Sequence, residues 1–326
     1  MSARVSQSPT QEEIRTWLVE QGWSAEGLAE LPGDVSLRRY LRLTTSAGPA
    51  IVAAYPAAIR DSCHRFVETT RLLSQAGVRV PEILASDCEN GFTLLEDVGK
   101  QTLYDRRGAG TTTLAEHFWQ ATTQIVRIQS LPIDVVAPLN PSLSAELLWR
   151  ELRQTWSSLL EPRGVVKDPV FARALEQTLQ EICRLLDAET FVPCHRDFMS
   201  RNLVPVDPYP DLAVLDHQDL RLGPQAYDLA SLLNDSLFPS EELEEEILQH
   251  FFGGETAERL HYHRAAAQRT LKATGTYETF AQRGFTRHRP LIPETLARAL
   301  GHLGQLPEAA AIRSELAARL APLIIC

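Results

Sequence analysis

The 326-residue sequence predicts an α+β protein of two lobes. The first is a small antiparallel-sheet N-lobe over residues 1–98, and the second a larger, mainly helical C-lobe over residues 99–326. Three observations predict this. The first hundred residues alternate short apolar runs with one helical stretch, the apolar spacing changes to threes and fours after Thr111, and the length exceeds the usual size of a single core. The Gly-bearing stretch Asp97 to Gly110 reads as the connection between lobes.

A helix is expected over residues 11–21. In Leu37 to Leu43, Leu37, Leu41 and Leu43 alternate with Arg38, Tyr40 and Arg42, which is strand periodicity. The turn Thr45 to Pro49 leads into Ala50 to Tyr55, a second strand paired to the first. A helix follows over residues 60–76, ended by Gly77. Two more strands, Glu82 to Ser86 and Phe92 to Glu96, are joined through Asn90-Gly91. The order is ββαββ. In the second lobe Leu175, Leu179, Ile182 and Leu186 form one helical stripe. Prolines 193, 205, 208 and 210 break the pattern into strand and loop, the setting in which a site is commonly carried.

Thirty-two basic against 42 acidic side chains give a net charge of -10, which argues against nucleic acid or an anionic membrane as partner. The N-terminus lacks the apolar core of a signal peptide, and no stretch approaches the roughly 20 apolar residues of a membrane span. Five scattered cysteines without a CxxC pair suggest neither a disulfide framework nor a zinc cage. Together these read as a cytoplasmic protein; a monomer is expected, and a small-molecule partner follows from the motifs below.

Residues His195-Arg196-Asp197-Phe198-Met199-Ser200-Arg201-Asn202 match every fixed position of a kinase catalytic loop. The Asp197 carboxylate would orient or accept the proton of an attacking hydroxyl, and the Asn202 oxygen would bind magnesium on the nucleotide phosphates. Asp216 ends the apolar run Leu212 to Leu215 and reads as the second metal ligand. ATP and Mg2+ are the implied cofactors.

With these residues the chain resembles the aminoglycoside phosphotransferase and choline kinase superfamily, whose members share a protein-kinase-like two-lobed fold. The resemblance is narrower to bacterial anomeric kinases of N-acetylmuramate and N-acetylglucosamine. It is carried by Gly33 to Arg42, Leu95-Glu96-Asp97, His195 to Asn202, Leu215 to Asp219, Gly223-Pro224, Tyr227 to Leu233, and Arg269 to Gly275 with Phe280. It implies transfer of the ATP γ-phosphate to the C1 hydroxyl of a free amino sugar in cell-wall recycling, the alternatives being another acceptor (an aminoglycoside, a choline-like alcohol or another sugar hydroxyl) or a nucleotide-binding regulator without transfer activity. By position it also implies that Glu96, Asp97 and Val98 form the hinge beside adenine, mainly through backbone groups, so that side-chain changes there are nearly silent.

The Lys that such kinases carry on the third strand is absent from Ala50 to Tyr55. Arg38 is the expected phosphate cation, with Arg39 or Arg42 as alternatives, and Ser36 lies in the phosphate-covering turn. Arg201 and Asp219, close in sequence to Asp197 and Asp216, are expected at the sugar, although an ion pair bracing the loop would look the same. Asp228 is expected to cap its helix or brace the catalytic loop. Met199 and His217 replace the His and Phe that the sugar kinases more often carry.

Overall fold

The computed structural model describes residues 9–31, 37–45, 48–254 and 256–324. Contacts divide the chain into two compact units, Met1–Gln101 with Val204–Asp219, and Thr102–Leu203 with Leu220–Cys326. The first unit is therefore discontinuous in sequence. No described helix is long and apolar enough to cross a membrane.

In the first unit, α1 (Gln11–Glu20) begins at a capping box in which Thr10 and Glu13 exchange hydrogen bonds. The sheet comprises β1 (Ala29–Glu30), β2 (Arg39–Thr45), β3 (Gly48–Ala54), β4 (Ile83–Asp87) and β5 (Phe92–Glu96), in the antiparallel order β1-β2-β3-β5-β4. Tyr40 pairs with Ala53, and Ala50 with Glu96. Alternation sends Leu41, Leu43, Val52 and Leu94 to one face, against Ile14, Trp17 and Leu18 of α1. The other face presents Ala53 and Tyr55 to α2 (Asp61–Gln75), through Cys63 and Val67. The central strand β3 is small and apolar because both of its sides are covered.

Three expectations are corrected. β2 starts at Arg39, and Leu37 lies outside the strand, 64% exposed. A short strand, β1, extends the sheet and carries no apolar alternation of its own. Cys63 and Cys88 form a disulfide, with Cα atoms 5.5 Å apart. Its sequence separation of 25 residues follows no spacing motif, because the pair meets only when α2 folds onto the end of β4. Cys183 and Cys194 are free and buried, and Cys326 lies outside the described residues.

The returning segment Val204–Asp219 holds most of β7 (Leu203–Pro205) and all of β8 (Leu212–Val214), which pair with each other. Val214 N donates to Arg79 O at 2.7 Å, and the backbone then turns through Asp216.

The second unit contains α3 (Thr111–Gln129), α4 (Ile133–Val136), α5 (Ala145–Thr155), α6 (Pro169–Asp187), α7 (Tyr227–Leu233), α8 (Glu241–Phe252), α9 (Thr256–Gln282), α10 (Ile292–Gly304) and α11 (Arg313–Ile324). Between α6 and α7 the strand β6 (Phe191–Cys194) pairs antiparallel with β9 (Arg221–Pro224). The expected stripe on α6 is buried, with Leu175, Leu179, Ile182 and Leu186 all at most 3% exposed. The long helix α9 packs against α5, α6, α7 and α10. It lies tight against α5 at Gly275, where an added Cβ would stand 2.2 Å from Thr155 Oγ1. Only glycine permits that crossing.

Candidate active site

The loop His195 to Asn202 follows β6 and is fixed from below. Asp228, fully buried on α7, accepts from His195 N at 2.6 Å and Arg196 N at 2.9 Å. This is the expected bracing of the loop. Burial raises the pKa of this carboxyl above its ordinary value, against the pull of His195 and the two loop amides. Among the described residues, the only non-glycines with positive φ are Arg196 at 78° and Asp216 at 59°. Such conformations persist where surrounding bonds over-determine them. Both flank proposed chemistry.

Asp197 is surrounded by cations of the second unit. Its Oδ1 accepts from Arg269 Nη1 at 2.9 Å and Lys272 Nζ at 3.1 Å, while Arg196 Nη1 lies 3.9 Å from Oδ2. Burial disfavours the charged form, but Lys272, Arg269 and Arg196 outweigh it and hold the carboxyl well below the usual range. Burial lowers the Lys272 pKa, a shift that Asp197 and Glu151 oppose. Glu151 on α5 joins the cluster through Arg196 at 2.7 Å and Lys272 at 3.4 Å. Despite burial, Lys272 and Arg196 bring its pKa down to about 2.

Sequence reasoning missed Glu151, Arg269 and Lys272 as members of this site. Arg269 and Lys272 are three apart, so they share a face of α9, and this spacing was the one signal available. Glu151 offered none.

Asn202 Nδ2 donates to Asp197 O at 2.9 Å, which orients the amide and leaves Oδ1 as its acceptor end. Arg201 stacks over Tyr104, 3.7 Å from the ring centroid, and donates to Ser236 Oγ at 3.2 Å. Asp219, half-buried, belongs to the first unit, and Arg201 to the second.

In the first unit, Asp216 Oδ1 accepts from Arg38 Nη2 at 2.6 Å and from Gln218 Nε2 at 3.0 Å. Arg38 also donates to Gln218 Oε1 at 3.2 Å and lies near the rings of Tyr40 and Tyr55. The alternatives are committed elsewhere, Arg39 to Glu30 and Arg42 to Asp97. His217 is fully buried against Phe66 and is bonded to Thr69 at 2.9 Å and Thr70 at 3.3 Å, so α2 grips the residue after Asp216. Ser36 lies outside the described residues, as do Gly33 and Asp34.

The side chains of Glu96 and Asp97, expected beside adenine, have partners of their own. Asp97 receives Arg42 Nε at 2.5 Å and Nη2 at 3.1 Å, and Glu96 pairs with Arg79 while accepting from Glu82 N. Val98 is half-buried beside them.

Taken each by itself, the carboxylate of Asp216 and the amide oxygen of Asn202 are hard oxygen donors of the kind magnesium takes. Among the described residues no group of three or more His, Cys, Asp or Glu side chains is placed to hold an ion alone.

The chain is 32% identical over 340 residues to an N-acetylmuramate/N-acetylglucosamine kinase of Pseudomonas putida, covering 95% of this chain and 96% of that one. Among solved structures it resembles a choline/ethanolamine kinase family protein from Mesorhizobium loti, with a TM-score of 0.62 and 16% identity over 94% and 97% of the two chains. It also resembles the GDP complex of aminoglycoside 2'-phosphotransferase-IIIa, with a TM-score of 0.60 and 15% identity over 90% and 98%. These likenesses place its fold with the two-lobed kinases. The phosphotransferase enzyme family model matches residues 27–267, and with the braced loop and its charged surroundings in place, the chain belongs to that family.

Proposed function

We propose that the protein is an ATP- and magnesium-dependent kinase that transfers the γ-phosphate to the anomeric C1 hydroxyl of an amino sugar such as N-acetylmuramate or N-acetylglucosamine, giving a sugar 1-phosphate for peptidoglycan recycling. The observation that carries the reading is the charge around Asp197. Within ion-pair distance stand two carboxylates, Asp197 and Glu151, and three cations, Arg196, Arg269 and Lys272. Among these five groups, positive charges outnumber negative ones by one. A polycationic aminoglycoside would be repelled there, whereas a neutral sugar or one bearing a carboxylate is not. The name of the Pseudomonas putida relative supports the same class of acceptor.

In this reading Asp197 aligns the acceptor hydroxyl. With a pKa held well below the usual range it stays ionised, so it accepts the hydroxyl proton only as bond formation to phosphorus makes that hydroxyl acidic. Asn202 and Asp216 are the ligands of magnesium, which when bound neutralises charge on the nucleotide phosphates. Arg38, held against Asp216, serves the phosphates in place of the missing strand Lys. Backbone groups of Glu96, Asp97 and Val98 meet the adenine. Arg201 meets the lactyl carboxylate or a sugar hydroxyl, and Asp219 a hydroxyl.

The test is incubation with ATP, magnesium and a panel of free sugars and aminoglycosides, followed by phosphorus NMR. Coupling of the new phosphate to C1 of an amino sugar is expected. Phosphate on an antibiotic hydroxyl, or on another carbon of the sugar, overturns the assignment.

A further inference from the structure

Glu151 belongs to no sequence motif, yet its side chain is only 8% exposed and both of its oxygens are committed. Oε1 accepts from Arg196 Nη2 at 2.7 Å and meets Lys272 Nζ at 3.4 Å, and Oε2 accepts from Gln268 Nε2 at 3.2 Å. Gln268 is turned by Tyr227, whose hydroxyl donates to Gln268 Oε1 at 3.1 Å. A carboxylate so enclosed sets geometry, because moving either partner leaves buried charge uncompensated.

The backbone brings it there. Thr155, one helical turn beyond Glu151, is the residue that touches Gly275, and Lys272 lies just under one turn before Gly275. The tight crossing of α5 and α9 thus carries Glu151 to Lys272.

Both charged partners of Glu151 are also partners of Asp197. Lys272 Nζ is 3.1 Å from Asp197 Oδ1, and Arg196 Nη1 is 3.9 Å from Oδ2. We propose that Glu151 is a positioning residue for phosphoryl transfer, dividing Lys272 and Arg196 between two anions so that Asp197 keeps lone pairs for the acceptor hydroxyl. The inference rests on the reading of Asp197 given above. Without Glu151, the carboxylate that Lys272 and Arg196 still share is Asp197. They then close on it and compete with the hydroxyl for the same oxygens.

The charged groups facing Lys272 are Glu151 from α5, Asp197 and Arg196 from the loop, and Arg269 from α9. Removing Glu151 takes away one of the two anions that favour its ammonium. Lys272 therefore loses its proton at lower pH in Glu151→Gln, and an alkaline limb of kcat set by Lys272 would follow it.

The experiment compares Glu151→Gln, Glu151→Asp and Asp197→Asn in the intact chain with ATP, magnesium and N-acetylglucosamine. Glu151→Gln is expected to lower kcat by about a hundredfold with little change in either KM, the size of loss that misplacement of reacting groups produces. Glu151→Asp keeps the charge but withdraws it by one methylene. It should give a smaller loss, again in kcat rather than KM, with the alkaline limb at its wild-type position, and it carries the test if the Gln variant does not fold. Normal kcat in a folded Glu151 variant, or a loss confined to KM or to thermal stability, overturns the inference. Full turnover in Asp197→Asn would instead remove the underlying reading of Asp197.

Discussion

Arg38 and Asp216 meet at 2.6 Å in a pocket walled by Tyr40 and Tyr55, so the cation nearest the proposed metal ligand is held in place before any phosphate arrives. The pair is local to the first unit and triangulated by Gln218, which contacts both residues. Arg38→Ala is expected to weaken magnesium-ATP binding by about tenfold or more, the equivalent of one charge-assisted hydrogen bond. Arg38→Lys should restore only part of it, because the planar head contacts Asp216 and Gln218 together. Calorimetric titration with ATP and magnesium checks this; unchanged affinity in the Ala variant would leave Arg38 a structural residue.

Asp197→Asn keeps the shape of the side chain and removes its charge. Turnover should fall on the order of 10³-fold while ATP binding persists, since a positioned acid or base contributes about that much to rate. Asp216→Asn should do the reverse in emphasis, weakening binding of magnesium-nucleotide. Single-turnover kinetics beside equilibrium binding separates the two.

Glu189, just before β6, is a buried acid, its side chain 5% exposed and its Oε1 without a hydrogen-bond partner. Burial raises its pKa to about 8, with Arg264 opposing and Glu258 assisting. The unfolded chain releases this proton near the ordinary value of about 4.3, and the folded chain holds it until about 8. Stability is therefore lost as pH rises between the two values. Glu189→Gln should raise the unfolding free energy at pH 8 by an amount on the order of a few kcal/mol, seen as a higher melting temperature, and change little at pH 4. A pH-independent difference would contradict the buried neutral acid.

The Cys63–Cys88 disulfide ties α2 to the end of β4 over a separation of 25 residues. A loop of that length constrains the unfolded chain by about 3 kcal/mol. Cys63→Ala with Cys88→Ala should lower the melting temperature accordingly, and dithiothreitol should shift the wild type but not the variant. Because α2 also holds His217 through Thr69 and Thr70, the double variant is expected to bind magnesium-ATP less tightly as well.

What the sequence made legible is what it writes contiguously. The ββαββ order, the α6 stripe and the run His195 to Asn202 each occupy one short stretch with its own periodicity or fixed spacing. Arg269 and Lys272, which bond Asp197, come from α9, more than seventy residues later, in a run that carries the resemblance but no spacing tied to the loop. Glu151 was silent because a Glu on an amphipathic helix has the pattern of a solvated face. Only the α5 and α9 crossing turns it inward. The same holds for Asp97, whose carboxylate is taken up by Arg42 from a strand paired two places away in the sheet. Periodicity says which face is apolar, but not which buried charge will meet which.

The bare hydrogen at position 275 has a reach beyond packing. A methyl group there would wedge apart the two helices that bring Glu151 to Lys272, so a change intended to rigidify α9 by replacing its glycine would slacken the charges around Asp197 as well. In this protein robustness and turnover share one narrow seam, and selection for the first by filling it forfeits the second.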